Sequence, residues 1–276
     1  MNLSRGDIKM KVSDKVLVVT GAGGGIGREL VLNLLSKGAS VAAVDISKEA
    51  LEETVKQSGD KNGKLSTHIV NLTERDAVEA LPEQVIAYHG KVDGIINNAG
   101  IIHSFVSVNE LEYEKIKMVM DINFYGTLFM VKTFLPYLLK RPIAHITNIS
   151  SMGGFLPVPG QTIYGASKAA VKLLTEGLRA ELKDTNVKVT VVFPGGVSTN
   201  IMKNSGLENA DNKEMSQEDV SKLLTPSKAA EIIVNGIEND KDRVLAGKDS
   251  QAMDKLYRLS PRRASDLIAE KMKDLV

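Results

Sequence analysis

A glycine-rich junction near the start of the chain narrows the available folds more than any other feature. Residues 16–19 (Val-Leu-Val-Val) form a short apolar, β-branched run that reads as a buried strand. Thr20-Gly-Ala-Gly-Gly-Gly-Ile-Gly27 follows at once. Residues 28–37 then show helical spacing at Leu30, Val31, Leu34 and Leu35, closing at Gly38. The glycines therefore fall on the turn from a strand into a helix N-terminus. Glycine permits a tight turn, and bare backbone lets a ligand approach closely. The helix N-terminus offers free N–H groups and a positive dipole end, which suit a pyrophosphate. Flexible loops also contain glycine clusters, so the strand before and the helix after are what make this a dinucleotide-binding signal.

The second expected strand, residues 40–44, ends at Asp45. A carboxylate at that tip can hold the hydroxyls of an adenosine ribose and repels the additional phosphate of NADP. Ala22, Gly23 and Ile46 supply no cation for such a phosphate, so NAD is the expected cofactor. Asp45 can also cap the helix that begins near Ser47, and the two roles are compatible. The alternation then continues. Helices are expected at 49–57, 73–89, 110–139, 166–179 and 227–237, and strands at 66–70, 94–97, 145–149, 187–193 and 243–246. This pattern predicts an α/β fold, a doubly wound, Rossmann-like parallel sheet with helices on both faces. Right-handed crossovers bring the carboxyl ends of the strands to one edge, where such sheets bind ligands. The residues from Gly21 to Gly27, Asp45, Asn71, Asn98, Ser151 and Pro194 all follow expected strands.

Residues 1–13 read as a polar lead, 14–249 as a single domain and 250–276 as a basic, partly helical tail with no assigned role. The polar segment at about 200–225 is the expected substrate loop, with an ordinary solvated loop as the alternative. Gln161-Thr-Ile-Tyr-Gly-Ala-Ser-Lys168 opens a helix and puts Tyr164 and Lys168 four positions apart on one face. A free phenol has a pKa of about 10, and bringing it to about 7 needs roughly 4 kcal/mol. A neighbouring ammonium acts in that direction. Exposed Tyr and Lys residues also meet at this spacing, so the pair gains meaning only from the other motifs.

Taken together, Thr20-Gly21-x-x-x-Gly25-Ile26-Gly27, Asn97-Asn98-Ala99-Gly100, Asn123, Ser151, Tyr164-x-x-x-Lys168 and Pro194-Gly195 resemble the short-chain dehydrogenase/reductase family in its compact single-domain branch. The resemblance spans roughly residues 14 to 240. It implies that Tyr164 exchanges a proton with a substrate oxygen, while Lys168 lowers its pKa and holds the nicotinamide ribose. It also implies that Ser151 hydrogen-bonds the substrate; Ser150 is adjacent, but the spacing to Tyr164 favours Ser151. Asn123 would place a water that links Lys168 to solvent. Gly21, Gly25, Ile26, Gly27, Asn98, Ala99, Gly100, Pro194, Gly195, Val197 and Thr199 would contact the dinucleotide. At Asn71-Leu72 the family often carries an aspartate that meets adenine, and an asparagine amide can keep that contact in altered form. A homotetramer or homodimer packed through the stretches 110–139 and 162–183 is also implied.

The expected activity is hydride transfer between NAD(H) and a secondary alcohol or ketone. An NADP-dependent carbonyl reductase of the same family and a non-catalytic dinucleotide-sensing protein are the alternatives. Phe155, Leu156, Pro157 and Val158, with Ile101, Ile102 and the loop from Ile201, are expected to give the substrate an apolar wall. A net charge of +1 argues against nucleic acid or an anionic membrane as the main partner. The chain shows neither a long apolar run nor a secretory core near its start, and it contains no cysteine, which together predict a cytoplasmic protein without disulfides. Its four histidines (His68, His89, His103 and His145) form no close metal-ligand pair in sequence, so no metal is expected. All four read as structural or surface, with His103 the exception because it follows Asn-Ala-Gly toward the cleft.

Overall fold

The computed structural model describes residues 9–59, 63–199, 201, 205, 207 and 223–273. Seven strands form one sheet: β1 (Val16–Thr20), β2 (Ser40–Asp45), β3 (Leu65–Ile69), β4 (Gly94–Asn97), β5 (Ala144–Ile149), β6 (Val187–Pro194) and β7 (Arg243–Ala246). Their order is β3-β2-β1-β4-β5-β6-β7, with every pairing parallel. The doubly wound parallel sheet expected from the alternation is thus the fold, and the strand order reverses between β1 and β4.

Side chains alternate along each strand, so the sheet has two apolar faces. Leu17 and Val19 of β1 join one core with α1 (Gly25–Ser36), α2 (Lys48–Ser58) and α7 (Pro226–Glu238) through Leu30, Leu34, Leu51, Ile233 and Ile237. Val16 and Val18 join the other core with α3 (Arg75–His89), α5 (Thr127–Leu138) and α6 (Thr162–Glu181) through Val78, Leu81, Phe134 and Leu178. Each such large side chain, fully buried, contributes about 1.5–3 kcal/mol. No described helix is long and apolar enough to cross a membrane.

Two departures from the sequence expectation bear on the cleft. α1 starts at Gly25 rather than Arg28, because the end of the glycine turn already winds as helix. The stretch 110–139 divides into α4 (Tyr113–Met120), a π-helical turn (Asp121–Gly126) and α5. The basic tail forms α8 (Lys248–Leu259) and α9 (Pro261–Met272). Apart from residues 201, 205, 207 and 223–225, the expected substrate loop lies outside the described residues.

The amino ends of the central strands are joined by Asp93, which is fully buried. Its carboxylate accepts from Val16 N–H at 3.0 Å and from Arg141 Nε at 2.8 Å. Removing it leaves a buried amide and a half-buried guanidinium without their acceptor. Asp93→Ala is expected to cost about 2–4 kcal/mol in urea unfolding, with Asp93→Asn milder.

Candidate active site

A cleft of about 690 Å³ opens at the carboxyl edge of the sheet, over the point where the strand order reverses. One end is the glycine turn, with Gly21, Gly25 and Ile26 on its wall. The tips of β2 and β3 add Asp45, Asn71 and Leu72, and the tip of β4 adds Asn98, Ala99 and Gly100. At the other end stand Ser151, Tyr164 and Lys168, faced by Pro194, Gly195, Val197 and Thr199. Two predicted site residues stay off this wall, Gly27 and Asn123. Gly27 serves packing: a Cβ there would lie 1.9 Å from Gly21 O. Asn123 is wholly buried behind the cleft.

The turn's backbone explains its composition. Gly21 and Gly25 adopt φ of +64° and +52°, in the left-handed region that favours glycine. A Cβ on Gly25 would reach 3.3 Å from Thr199 Cγ2, narrowing the cleft at that point. The helix N-terminus below has no side-chain cap, so its N–H groups face the groove. Bare backbone with free donors fits a dinucleotide pyrophosphate. Asp45 braces this turn, since its carboxylate accepts from Gly23 N–H at 2.8 Å and from Ser47 N–H at 3.1 Å. Asn71 is likewise engaged, accepting from Thr73 N–H at 3.1 Å and donating to Glu74 at 3.0 Å.

Sequence reasoning missed Arg28, which lines the cleft beside the glycine turn. Its guanidinium donates to Thr54 Oγ1 at 3.0 Å and to the Gly23 and Ala50 carbonyls. The signal was present as a basic residue in the turn's own helix. Asp249, on α8, was also missed: it accepts from Gly196 N–H at 2.7 Å and so holds the loop after β6. Nothing local in the sequence announces a contact 53 residues away.

At the far end the two serines differ in their surroundings. Ser150 is buried and donates to Lys168 O at 2.7 Å, whereas Ser151 is half-buried on the cleft wall beside Tyr164, its oxygen accepting from Gly153 N–H at 3.1 Å. Lys168 Nζ donates to Ile149 O at 3.1 Å and lies 6.0 Å from the Tyr164 ring centroid. Burial lowers the ammonium to about 8. Burial also raises the Tyr164 phenol above its usual value, partly opposed by the bond to Ser151. The amine is turned toward the Ile149 carbonyl at the strand end, so in this geometry it is not what moves the phenol. Asn123 Oδ1 accepts from Ile101 N–H at 2.8 Å, and Nδ2 donates to Ile101 O and Ser167 Oγ. The π-helical turn is what seats this amide under the loop after β4.

The apolar wall also needs correction. Ile101, Ile102 and Ile201 line the cleft, but Phe155, Leu156, Pro157 and Val158 do not. They border a separate hollow of about 840 Å³ between α6, α8 and α9. A 3₁₀ turn (Met152–Gly154) redirects the chain, and Phe155 packs on Phe193 and Tyr257 with centroids 5.4 and 6.1 Å away. The histidines differ too. His68 and His89, unpaired in sequence, both place Nε2 2.9 Å from Ser66 Oγ. Among the described residues no group of three or more His, Cys, Asp or Glu could hold a metal. His145 is buried, its pKa lowered to about 3. His103 is buried and off the cleft wall.

The family profile described as short chain dehydrogenase matches residues 15–210. The chain belongs to that family. Over 260 residues this short chain dehydrogenase is 36% identical to a putative oxidoreductase, SadH, of Mycobacterium tuberculosis, covering 92% of this chain and 94% of the relative. It is 34% identical over 225 residues to the 3-oxoacyl-[acyl-carrier-protein] reductase FabG of Thermotoga maritima, covering 82% and 91%. Among solved structures, a short chain dehydrogenase/reductase from Burkholderia phymatum in complex with NAD superposes with a TM-score of 0.81 at 26% identity, covering 92% and 96%. A short chain dehydrogenase from Burkholderia cenocepacia in complex with NADP gives 0.77 at 25%, covering 94% and 99%. The chain is therefore an oxidoreductase of the short chain dehydrogenase family.

Burying an ammionium-bearing side chain such as Lys168 has a measurable cost. Its folded pKa of about 8 lies below the ordinary 10.5, so the cost is full below pH 8 and fades as pH rises toward the unfolded value. Lys168→Met is expected to raise the thermal midpoint at pH 7, with the gain shrinking between about pH 8 and 10.5. Scanning calorimetry across that range checks the sign.

Proposed function

We propose that this chain transfers a hydride between NAD(H) and a secondary alcohol or ketone, with Tyr164, Lys168, Ser151 and Asn123 as its working residues. The observation that carries the reading is the meeting of Ser151, Tyr164 and Lys168 at one end of a cleft whose other end is the glycine turn. The bound dinucleotide supplies the hydride chemistry. Gly21, Gly25, Ile26, Asn98, Ala99, Gly100, Pro194, Gly195, Val197 and Thr199 hold and orient it, with Gly27 keeping the turn compact. Asn71 and Leu72 flank the adenine.

The phenol, whose pKa burial raises, carries its proton near neutral pH and can donate it to the substrate oxygen in carbonyl reduction. Ser151 holds the substrate oxygen while negative charge develops on it. Lys168, at about 8, replenishes the proton and favours the phenolate that remains. Asn123, through Ile101 and Ser167, fixes the wall behind the lysine, and by family resemblance it would place the water that links Lys168 to solvent. Ile101, Ile102 and Ile201 suit a moderately apolar substrate.

The preference for NAD rests on charge. Two cations line the cleft among the described residues. Lys168 lies at the far end, and Arg28 is committed to Thr54, Gly23 and Ala50. Arg28 keeps its charge in those bonds to neutral oxygens, so the NAD reading rests on the Asp45 carboxylate at the ribose position. Residues 14–249 form the catalytic domain, with 200–225 as its substrate loop, in a cytoplasmic protein. Tyr113 and Leu173, 85% and 68% exposed on the two helical stretches named for assembly, support a homotetramer or homodimer.

Tyr164→Phe is expected to lower turnover at least about 10²-fold across a panel of ketones with NADH. NADH affinity, read by fluorescence titration, should stay within about twofold. Retained turnover overturns the assignment, and tight NADH binding with no turnover by the wild type favours the dinucleotide-sensing alternative. Asp45→Asn keeps an acceptor for Gly23 N–H but removes the charge. It is expected to shift the NADH-to-NADPH ratio of kcat/KM about tenfold toward NADPH. An unchanged ratio contradicts the electrostatic account.

A further inference from the structure

The helix that carries Tyr164 and Lys168 begins without a cap of its own. Gln161 stands at its N-cap, and that side chain accepts nothing from the first turn. The first N–H groups of a helix have no partner within it. Tyr164 is the third residue of α6, so its amide is one of these. That N–H is directed at Nε2 of His103, 3.4 Å away and 61 residues distant in sequence. The tautomer is fixed by the other nitrogen. His103 Nδ1 lies 2.7 Å from the Ser104 carbonyl oxygen, which can only accept, so Nδ1 carries the hydrogen. Nε2 is thereby left as an acceptor. A return bond closes the contact, with Gln161 Nε2 donating to His103 O at 2.6 Å. His103 is 3% and Gln161 4% exposed.

We infer that His103 is a positioning residue: its neutral, Nδ1-protonated ring caps α6 on the backbone N–H of Tyr164 and so sets where the phenol stands in the cleft. The inference rests on the proposed role of Tyr164 as proton donor. At 3.4 Å the bond to Nε2 is long, so the helix dipole and the Gln161 return bond share the work of holding the ring in place. An imidazolium would have no lone pair and would face the positive end of the helix. Burial holds the ring's pKa below its usual value and thus keeps it neutral. The loop reaches Asn123 as well, since Ile101 exchanges N–H and C=O bonds with that amide at 2.8 and 3.0 Å. Residues 101–103 therefore tie the seat of Tyr164 to the wall behind Lys168. His103 does not border the cleft itself, so its influence on chemistry runs through Tyr164.

Two substitutions separate this from simple packing. His103→Leu fills the space without an acceptor, and His103→Gln restores one. Amide hydrogen exchange of Tyr164, followed by NMR, is expected to quicken at least about tenfold in the leucine variant and to return to within about threefold of wild type in the glutamine variant. With a ketone reduced by the wild type, His103→Leu should lower kcat about tenfold while the KM for NADH stays within about twofold, and His103→Gln should recover most of the loss. A leucine variant with wild-type exchange and kcat overturns the inference, as does a glutamine variant that recovers neither. If the leucine variant does not fold, the glutamine variant decides: Tyr164 exchange released in it overturns the cap, and exchange retained supports it. Loss of turnover in Tyr164→Phe with no effect of His103→Leu refutes the inference alone. Retained turnover in Tyr164→Phe refutes the parent reading instead.

Discussion

The cleft exists because β1 and β4 are held side by side up to their last residue and then forced apart. The Thr20 hydroxyl does the holding. Thr20 is 1% exposed, and its hydroxyl oxygen accepts from Asn98 N–H and Ala99 N–H, both at 3.0 Å, while Asn98 Nδ2 donates to Thr20 O at 3.0 Å. Two amides that leave the sheet ladder are thereby satisfied by one side chain, which otherwise would cost about 1–3 kcal/mol each. Past this point the chain after β1 turns toward α1 and the chain after β4 turns away. The two stay so close that a Cβ on Gly21 would come within 2.9 Å of Ala99 Cα. The glycine at position 21 is thus demanded by the protein's own packing.

Much of this was legible in the sequence, and the reasons are local. Buried strands announce themselves as apolar runs and helices as a 3.6-residue repeat, so the order of elements could be read. Gly21 to Gly27, Asp45, Asn71, Asn98, Ser151 and Pro194 could be read because each follows a strand, and strand ends converge in a parallel sheet; Asn123, Tyr164 and Lys168 lie on helical segments instead. The π-helical turn at Asp121–Gly126 was not legible, because one extra residue per turn leaves the apolar content of the stretch unchanged. The direction of Phe155 was hidden for a different reason. A 3₁₀ turn of three residues decides it, and its ring finds partners 38 and 102 positions later, at Phe193 and Tyr257.

Electrostatics was the least legible layer. Spacing alone places Lys168 one turn from Tyr164, and Coulomb attraction then predicts an acidic phenol. Burial enters only with the fold, and here it acts on both groups, disfavouring phenolate and ammonium alike. The phenol is thereby held in its neutral form, while the ammonium, lowered to about 8, stays largely charged at pH 7. The same distance effect explains Asp249 and His103. Each steadies a loop or helix end that bears on the cleft, and each comes from a remote segment. The C-terminal helices acquire a structural purpose in this way. Arg243 stacks over Phe193 at 4.0 Å and pairs with Asp254, fixing α8 so that Asp249 meets the loop after β6.

The central claim is spatial: the phenol of Tyr164 and the hydroxyl of Ser151 face the reactive end of a dinucleotide laid along the glycine turn. A crystal structure of the protein with NADH bound tests it most directly. The account predicts the pyrophosphate over residues 21–25, the adenosine ribose at Asp45 and the nicotinamide ring beside Tyr164. A dinucleotide bound in the reverse sense, or with its nicotinamide in the hollow between α6 and α9, would contradict it.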